Sequence, residues 1–149
     1  MRVLLPVDGS EVSMGAVHLA LRMHGNGLRM EAVLANVQEP ATLYELLVMH
    51  DPEAVDRISA QAGLDALAPA RALLDAAGLQ YECEVAKGDP AHTLVEISER
   101  FGCDMVIMGA SGMSGMSGLR SAMLGSVSNE VLHASGVPVV IVKPDSSEG

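Results

Sequence analysis

The fold of this chain is decided by the stretch Met105-Val-Ile-Met-Gly-Ala-Ser-Gly-Met-Ser-Gly-Met-Ser-Gly-Leu-Arg-Ser-Ala-Met-Leu-Gly-Ser126. Its first residues, Met105 to Met108, form a short apolar run that is typical of a buried strand. A loop with a glycine at every third residue follows, and Gly125-Ser126 then begins a helical pattern. Glycine lets backbone N–H groups approach an anion, and a helix N-terminus adds donors and a positive dipole end. The stretch therefore predicts a phosphate-binding loop between a strand and a helix, with a Gly/Ser loop that binds nothing as the alternative.

Short apolar strands alternate with longer helical patterns along the chain, which predicts an α/β protein. Ser10 and the pairs Asp51-Pro52 and Asp89-Pro90 mark helix starts, because such residues cap a helix and fix its first turn. The helix after Asp51 is expected to carry its apolar residues on one buried face: Val55, Ile58, Ala62, Leu67, Leu73 and Leu74. The predicted strands are Val3–Val7, Ala32–Val37, Leu79–Ala86, Met105–Met108 and Pro138–Val142.

Helices between successive strands require a parallel sheet with right-handed crossovers. We expect one domain over residues 1–144, a doubly wound five-stranded parallel sheet with strand order 3-2-1-4-5, and a flexible tail at 145–149. Ligands of such sheets bind beyond the carboxyl ends of the strands, where the strand order reverses. This order places the reversal between strands one and four, so that Asp8 and the glycine-rich loop meet in one crevice.

Charge and composition exclude several classes of protein. A net charge of −10 with only nine lysines and arginines argues against binding to nucleic acid or to an anionic membrane surface. No apolar run approaches the ~20 residues of a membrane span, and the first residues indicate a strand rather than a signal peptide. Cys83 and Cys103 have no metal-ligand spacing with the five histidines. They are interpreted as reduced, packed thiols, which favours a cytoplasmic location.

The glycine spacing matches neither a Walker loop nor a dinucleotide fingerprint. The pattern Gly112-x2-Gly115-x9-Gly125-Ser126 closely resembles the nucleotide-binding signature of the universal stress protein family, in its ATP-binding branch. Four further segments carry the resemblance: Val3–Ser10, Val85–Pro90, Leu124–Val127 and Val137–Val142. The family usually places its first signature glycine directly after strand four, where Gly109 stands, so this loop is interpreted as three residues longer. Either Gly109 and Gly112 or Gly112 and Gly115 form the working pair.

The resemblance implies a Rossmann-like fold that binds an adenine nucleotide (ATP, ADP or AMP), with Mg²⁺ offsetting the phosphate charge. It also implies a homodimer through Val139–Val142, an apolar edge strand of the kind that pairs with another chain. The predicted nucleotide-binding residues are Pro6, Val7, Asp8, Val37, Met108, Gly109, Gly112, Gly115, Gly125, Ser126, Val127 and Ser128.

Each predicted role has a structural alternative. The resemblance implies that Asp8 hydrogen-bonds the ribose or adenine side of the nucleotide, whereas a helix-start aspartate would instead accept from backbone N–H groups. Pro6, Val7, Val37 and Met108 are expected to form an apolar slot for adenine, with ordinary core packing as the alternative. Separately, the Ser126 hydroxyl is expected to donate to a phosphate, unless it acts only as a helix cap.

The predicted function is therefore a dimeric, ATP-binding module in stress response or signalling, without strong catalysis. The glycine-rich loop holds no carboxylate, glutamine or histidine that would orient an attacking water. A weak ATP hydrolase or autokinase remains one alternative, and a stress protein that binds no nucleotide and acts as a dimeric interaction module is another. A phosphoacceptor receiver domain is excluded, because strand three ends in Val85-Ala-Lys87 without an aspartate.

Overall fold

The computed structural model describes residues 1–111 and 124–144. Five parallel strands in this part of the chain form one sheet, in the order β3-β2-β1-β4-β5. The strands are β1 (Arg2–Pro6), β2 (Glu31–Gln38), β3 (Tyr81–Lys87), β4 (Met105–Gly109) and β5 (Val139–Val142). The predicted strand order is confirmed. Gly112 and Gly115 of the predicted site, and the predicted tail, lie outside the described residues.

Five helices accompany these strands in the same residues: α1 (Glu11–Gly25), α2 (Leu43–Met49), α3 (Pro52–Ala77), α4 (Pro90–Arg100) and α5 (Ser126–Ala134). The side chains of Ser10, Asp51 and Asp89 each accept a hydrogen bond from a first-turn N–H group, so the three predicted caps are confirmed. The short helix α2 is not predicted by the sequence analysis.

The sheet has an apolar cluster on each face, as a doubly wound fold requires. On one face, α1 and α3 pack over alternate strand residues such as Val3 and Leu5. On the other face, α4 and α5 pack over Leu4 and Val106. Leu4 and Leu5 are both fully buried, which shows that β1 is covered on both sides.

Helix α3 packs on the sheet largely through the predicted face, because Val55, Leu67 and Leu74 are buried and Leu73 packs half-buried against the same cluster. Ile58 is 59% exposed and Ala62 is exposed, so their prediction as buried residues is wrong. Gly63 is buried instead, and a Cβ atom at this position would lie 2.5 Å from Cγ1 of Val85 and 3.0 Å from Oδ1 of Asn36. The helix approaches the sheet closely because a glycine stands at the contact. A search for large apolar residues misses such a position.

Candidate functional site

The chain leaves β1 and β4 toward opposite faces of the sheet. After β1 it forms α1, which packs on one face, and after the loop that follows β4 it forms α5, which packs on the other. Because β1 and β4 are adjacent and parallel, their carboxyl ends lie side by side at this divergence. The divergence is the switch point at which ligands of such sheets bind.

Gly109 closes β4 at a tight contact with the first turn of α1. A Cβ atom on Gly109 would lie 2.7 Å from Cγ1 of Val12, 2.9 Å from its carbonyl oxygen and 3.0 Å from its carbonyl carbon. Real Cβ contacts essentially never become this short, and two of these atoms belong to the backbone. Gly109 therefore lets α1 pass directly over the end of β4, which is a structural role in addition to the predicted one.

Two hydrogen bonds fix the start of α5 to the end of β4. The N–H of Gly125 donates to the carbonyl of Ala110 at 2.7 Å, and the hydroxyl of Ser128 donates to the same carbonyl at 2.6 Å. Ala110 in turn donates its N–H to the carbonyl of Val142, at the end of β5. The first turn of α5 is thereby held against the carboxyl edge of the sheet.

Gly125 is the N-cap of α5, and no side-chain hydrogen bond caps this helix. Ser126 is the first helical residue and is exposed, so the alternative in which its hydroxyl caps the helix is wrong. A Cβ atom on Gly125 would lie 3.3 Å from the Cα atom of Ser111, which is tighter than most real contacts. The bare N-cap leaves the first-turn N–H groups without a competing side-chain acceptor, an arrangement that suits an anion.

Ser128 is only 2% exposed. Its hydroxyl also lies 3.1 Å from the carbonyl of Gly125, in addition to its bond with Ala110. The hydroxyl proton is thus used to anchor α5. Val127 and Ser128 are both predicted nucleotide-binding residues, and their contact with a nucleotide stays a prediction.

Asp8 lies at the start of the loop between β1 and α1 and is partly buried. Its Oδ1 accepts the N–H of Ser10 at 2.9 Å, and its own N–H donates to Oγ of Ser13 at 3.3 Å. The helix-start role considered for this residue is therefore present. These bonds also fix the carboxyl group at the switch point, and its contact with a nucleotide stays a prediction.

The structure does not bring the four residues of the predicted apolar slot to one surface. Val37 and Met108 pack on the face of α4 and α5, and Pro6 lies on the same face because it follows Leu4 by two residues. Val7 packs on the opposite face and is 2% exposed. Its side chain is therefore separated from the other three by the sheet.

A buried polar residue, Asn36, supports the end of β1 and is missed by the sequence analysis. It is 4% exposed, its Nδ2 donates to the carbonyl of Val7 at 2.9 Å, and its Oδ1 accepts from Nε2 of Gln38 at 2.7 Å. The first of these bonds satisfies the Val7 carbonyl beyond the last pair of the ladder, and the second holds the Asn36 side chain in place. The available sequence signal is an asparagine within the apolar run Ala32–Val37.

Several cations of the described residues are engaged in ion pairs away from the switch point. Arg2 pairs with Glu31, Lys87 with Asp56, and Arg100 with Glu84. Arg120, the only cation of the glycine-rich loop, lies outside the described residues. Nor do residues 1–111 and 124–144 contain a group of three or more His, Cys, Asp or Glu side chains that fits a metal ion.

The two cysteines differ in their surroundings. Both are free thiols, and burial raises the pKa of Cys103, which makes it a poor nucleophile. Cys83 lies exposed on the edge strand β3, so the prediction of a packed thiol is wrong at this position. No helix among the described residues has the length and apolar character needed to cross a membrane.

The strand order and the crossovers define a doubly wound α/β protein of the Rossmann-like class. The sequence model of the universal stress protein family matches residues 1–143. Universal stress protein YxiE of Bacillus subtilis is 30% identical, and the match covers 95% of this chain and 98% of that protein. The chain belongs to the universal stress protein family.

Solved structures agree with this assignment. The structure of MJ0577 from Methanocaldococcus jannaschii has a TM-score of 0.79 and 25% identity, covering 97% of this chain and 96% of that one. A universal stress protein family protein from Arabidopsis thaliana with AMP bound has a TM-score of 0.68 and 19% identity, covering 99% and 94%. The latter similarity establishes a shared fold.

Proposed function

We propose that this protein binds ATP, or its products ADP and AMP, at the switch point and acts as a dimeric module in stress response or signalling. The observation that carries the proposal is the first turn of α5, anchored to β4 through Ala110 and beginning at the bare N-cap Gly125. An α-helix N-terminus of this kind carries a partial positive charge and directs N–H groups outward, which together favour a phosphate.

The adenine would occupy the apolar side of the crevice. Val37 and Val127 are half-buried and pack with Met108 in the cluster under α4 and α5, which offers an apolar wall beside the helix terminus. Binding of AMP by the Arabidopsis relative of the same fold supports an adenine nucleotide as the ligand. Mg²⁺ would be held mainly by the phosphates, as is usual for this ion.

We propose that the protein binds the nucleotide without strong catalysis. Residues 109–126 contain no Asp, Glu, Gln or His to orient a water toward the terminal phosphate. The two free thiols support a cytoplasmic location, where cysteines stay reduced.

The protein purified under native conditions is expected to carry an adenine nucleotide at up to one per chain. Release by acid or heat, followed by chromatography and mass measurement, identifies the nucleotide. Calorimetry of the emptied protein with Mg-ATP then gives the affinity, with Mg-GTP as the control for the base. A purified protein that carries no nucleotide and gives no heat with Mg-ATP would refute the proposal. The alternative would then be an interaction module that binds no nucleotide.

We also propose that two copies pair through β5, which is an edge of the sheet with four half-buried apolar residues. The carbonyl of Pro138, just before β5, accepts from Val106, and the carbonyl of Val142 accepts from Ala110, just after β4. Alternate residues of the strand, such as Ile141, therefore direct their N–H and C=O groups outward. Sedimentation is expected to show a dimer for the unmodified protein and a monomer for Ile141→Pro, which removes an outward donor. Far-UV circular dichroism controls for folding, and a monomeric unmodified protein at micromolar concentration contradicts the proposal.

A further inference from the structure

Helix α2 presents its apolar side chains to solvent. Leu43, Tyr44, Leu47 and Val48 are 73%, 75%, 60% and 55% exposed. Ile58, near the start of the helix α3 that contacts α2, is also 59% exposed. We call these five side chains the α2 patch. Soluble proteins rarely leave so many large apolar residues uncovered on adjacent turns unless the surface binds something.

The exposure extends from Leu43 to Val48 and is not confined to one residue. Glu45 is the only charged side chain in Leu43–Met49, so α2 has no polar face to turn toward water. A helix of seven residues also gains little stability from its own hydrogen bonds. Its apolar side chains need an additional surface, which residues 1–111 and 124–144 do not provide.

The charge around the α2 patch is mainly negative, with Arg57 beside Ile58 as the exception. Between Arg29 and Arg57 the chain contains no lysine or arginine and six carboxylates, of which Glu31 and Asp56 are in ion pairs. Glu39, Glu45 and Glu53 are exposed and lie before, within and after α2. An apolar surface with an acidic rim is complementary to a segment that carries apolar and basic residues on adjoining faces.

We infer that the α2 patch, with its acidic rim, is a docking surface for a basic amphipathic helix of another protein. The inference stands on the surface alone and goes beyond the proposed binding of a nucleotide. A second copy of this chain would bring the same carboxylates together, which disfavours self-association through the patch. An anionic membrane would be repelled for the same reason.

Fluorescence anisotropy of a labelled peptide of about 18 residues, or five helical turns, tests this inference. The peptide carries leucine and lysine arranged as an amphipathic helix, and its control is a scrambled peptide of the same composition. The full chain is expected to bind the amphipathic peptide at least about tenfold more tightly. Equal binding of the two peptides would show that they bind only because of the protein's net charge of −10, and it would overturn the inference.

Variants then locate the binding surface. Ile58→Ser is the first choice, because Ile58 lies on the long helix α3 and its replacement leaves α2 intact. It is expected to weaken peptide binding about tenfold, since one buried interface side chain commonly accounts for such a loss. Leu132→Ser, which changes a leucine on α5 that is 42% exposed, is the matched control and is expected to have no effect.

The charge of the rim is tested separately. Glu45→Lys is expected to weaken binding about tenfold at low salt, whereas Glu99→Lys, the same change at an exposed position of α4, should change it less than about twofold. Equal losses in both variants would overturn the acidic rim as a determinant. Self-association that Ile58→Ser abolishes, or binding to phosphatidylserine vesicles in place of the peptide, would also overturn the inference.

Discussion

Replacing Ser126 by aspartate is expected to weaken ADP binding at least about a hundredfold while the protein stays folded. Ser126 is the first residue of α5 and is exposed, so a carboxylate at this position stands at the helix terminus proposed for the phosphates. Two like charges about 5 Å apart repel by roughly 3 kcal/mol at an effective dielectric constant near 20. That energy corresponds to a factor of about 100 in the dissociation constant.

The same substitution should not destabilise the fold. A carboxylate in the first turn of a helix is favoured by the dipole, by about 0.3–1 kcal/mol at an exposed position. The free energy of unfolding should therefore rise or stay unchanged while the affinity for ADP falls. A lower affinity for ADP without a lower free energy of unfolding distinguishes loss of the phosphate site from destabilisation of the fold.

Calorimetry with ADP and urea unfolding followed by circular dichroism measure the two effects. Asn129→Asp is the matched control, because it adds the same charge at an exposed position about one turn further along α5. Its effect on affinity should be smaller than about tenfold, since the influence of the terminus decays within the first turn. Tight ADP binding by the Ser126→Asp variant would show that the nucleotide lies elsewhere.

The features predicted correctly from the sequence depend on local signals. Ser10, Asp51 and Asp89 each accept from an N–H group a few residues ahead, so the neighbouring sequence determines the cap. The parallel sheet follows from alternating strands and helices, and the right-handed crossover rule restricts its strand orders to a few, of which 3-2-1-4-5 is one. These features can be predicted without knowledge of any long-range contact.

The features missed depend on surfaces that meet only in the folded chain. Helix α2 has no amphipathic period, because every residue except Glu45 is apolar, and it therefore gives no helical pattern to detect. Val7 faces away from Val37 because the alternation of β1 places it on the α1 side. The role of Gly63 appears only once α3 lies against Val85.

Gly109 is part of a local sequence signal, and it also makes a contact that exists only in the folded chain. Gly109→Ala is expected to lower the free energy of unfolding by about 3 kcal/mol. The added Cβ meets a methyl group and two backbone atoms of Val12, a residue 97 positions away in the chain. The methyl group can rotate away, but the backbone atoms move only if the first turn of α1 shifts. Overpacking against backbone is therefore more costly than against a flexible side chain.

Urea unfolding followed by circular dichroism measures this loss, with Gly136→Ala as the matched control. A Cβ atom on Gly136 would have no neighbour within 4 Å, so its free energy of unfolding should change by less than about 1 kcal/mol. The double variant Gly109→Ala, Val12→Ala separates the two parts of the contact, since it removes the methyl group and leaves the backbone clash. A double variant that is as stable as Val12→Ala alone would show that only the Val12 side chain resists the added Cβ atom. A loss that persists would show that the approach of α1 to β4 itself requires glycine, independently of any role of Gly109 in binding phosphate.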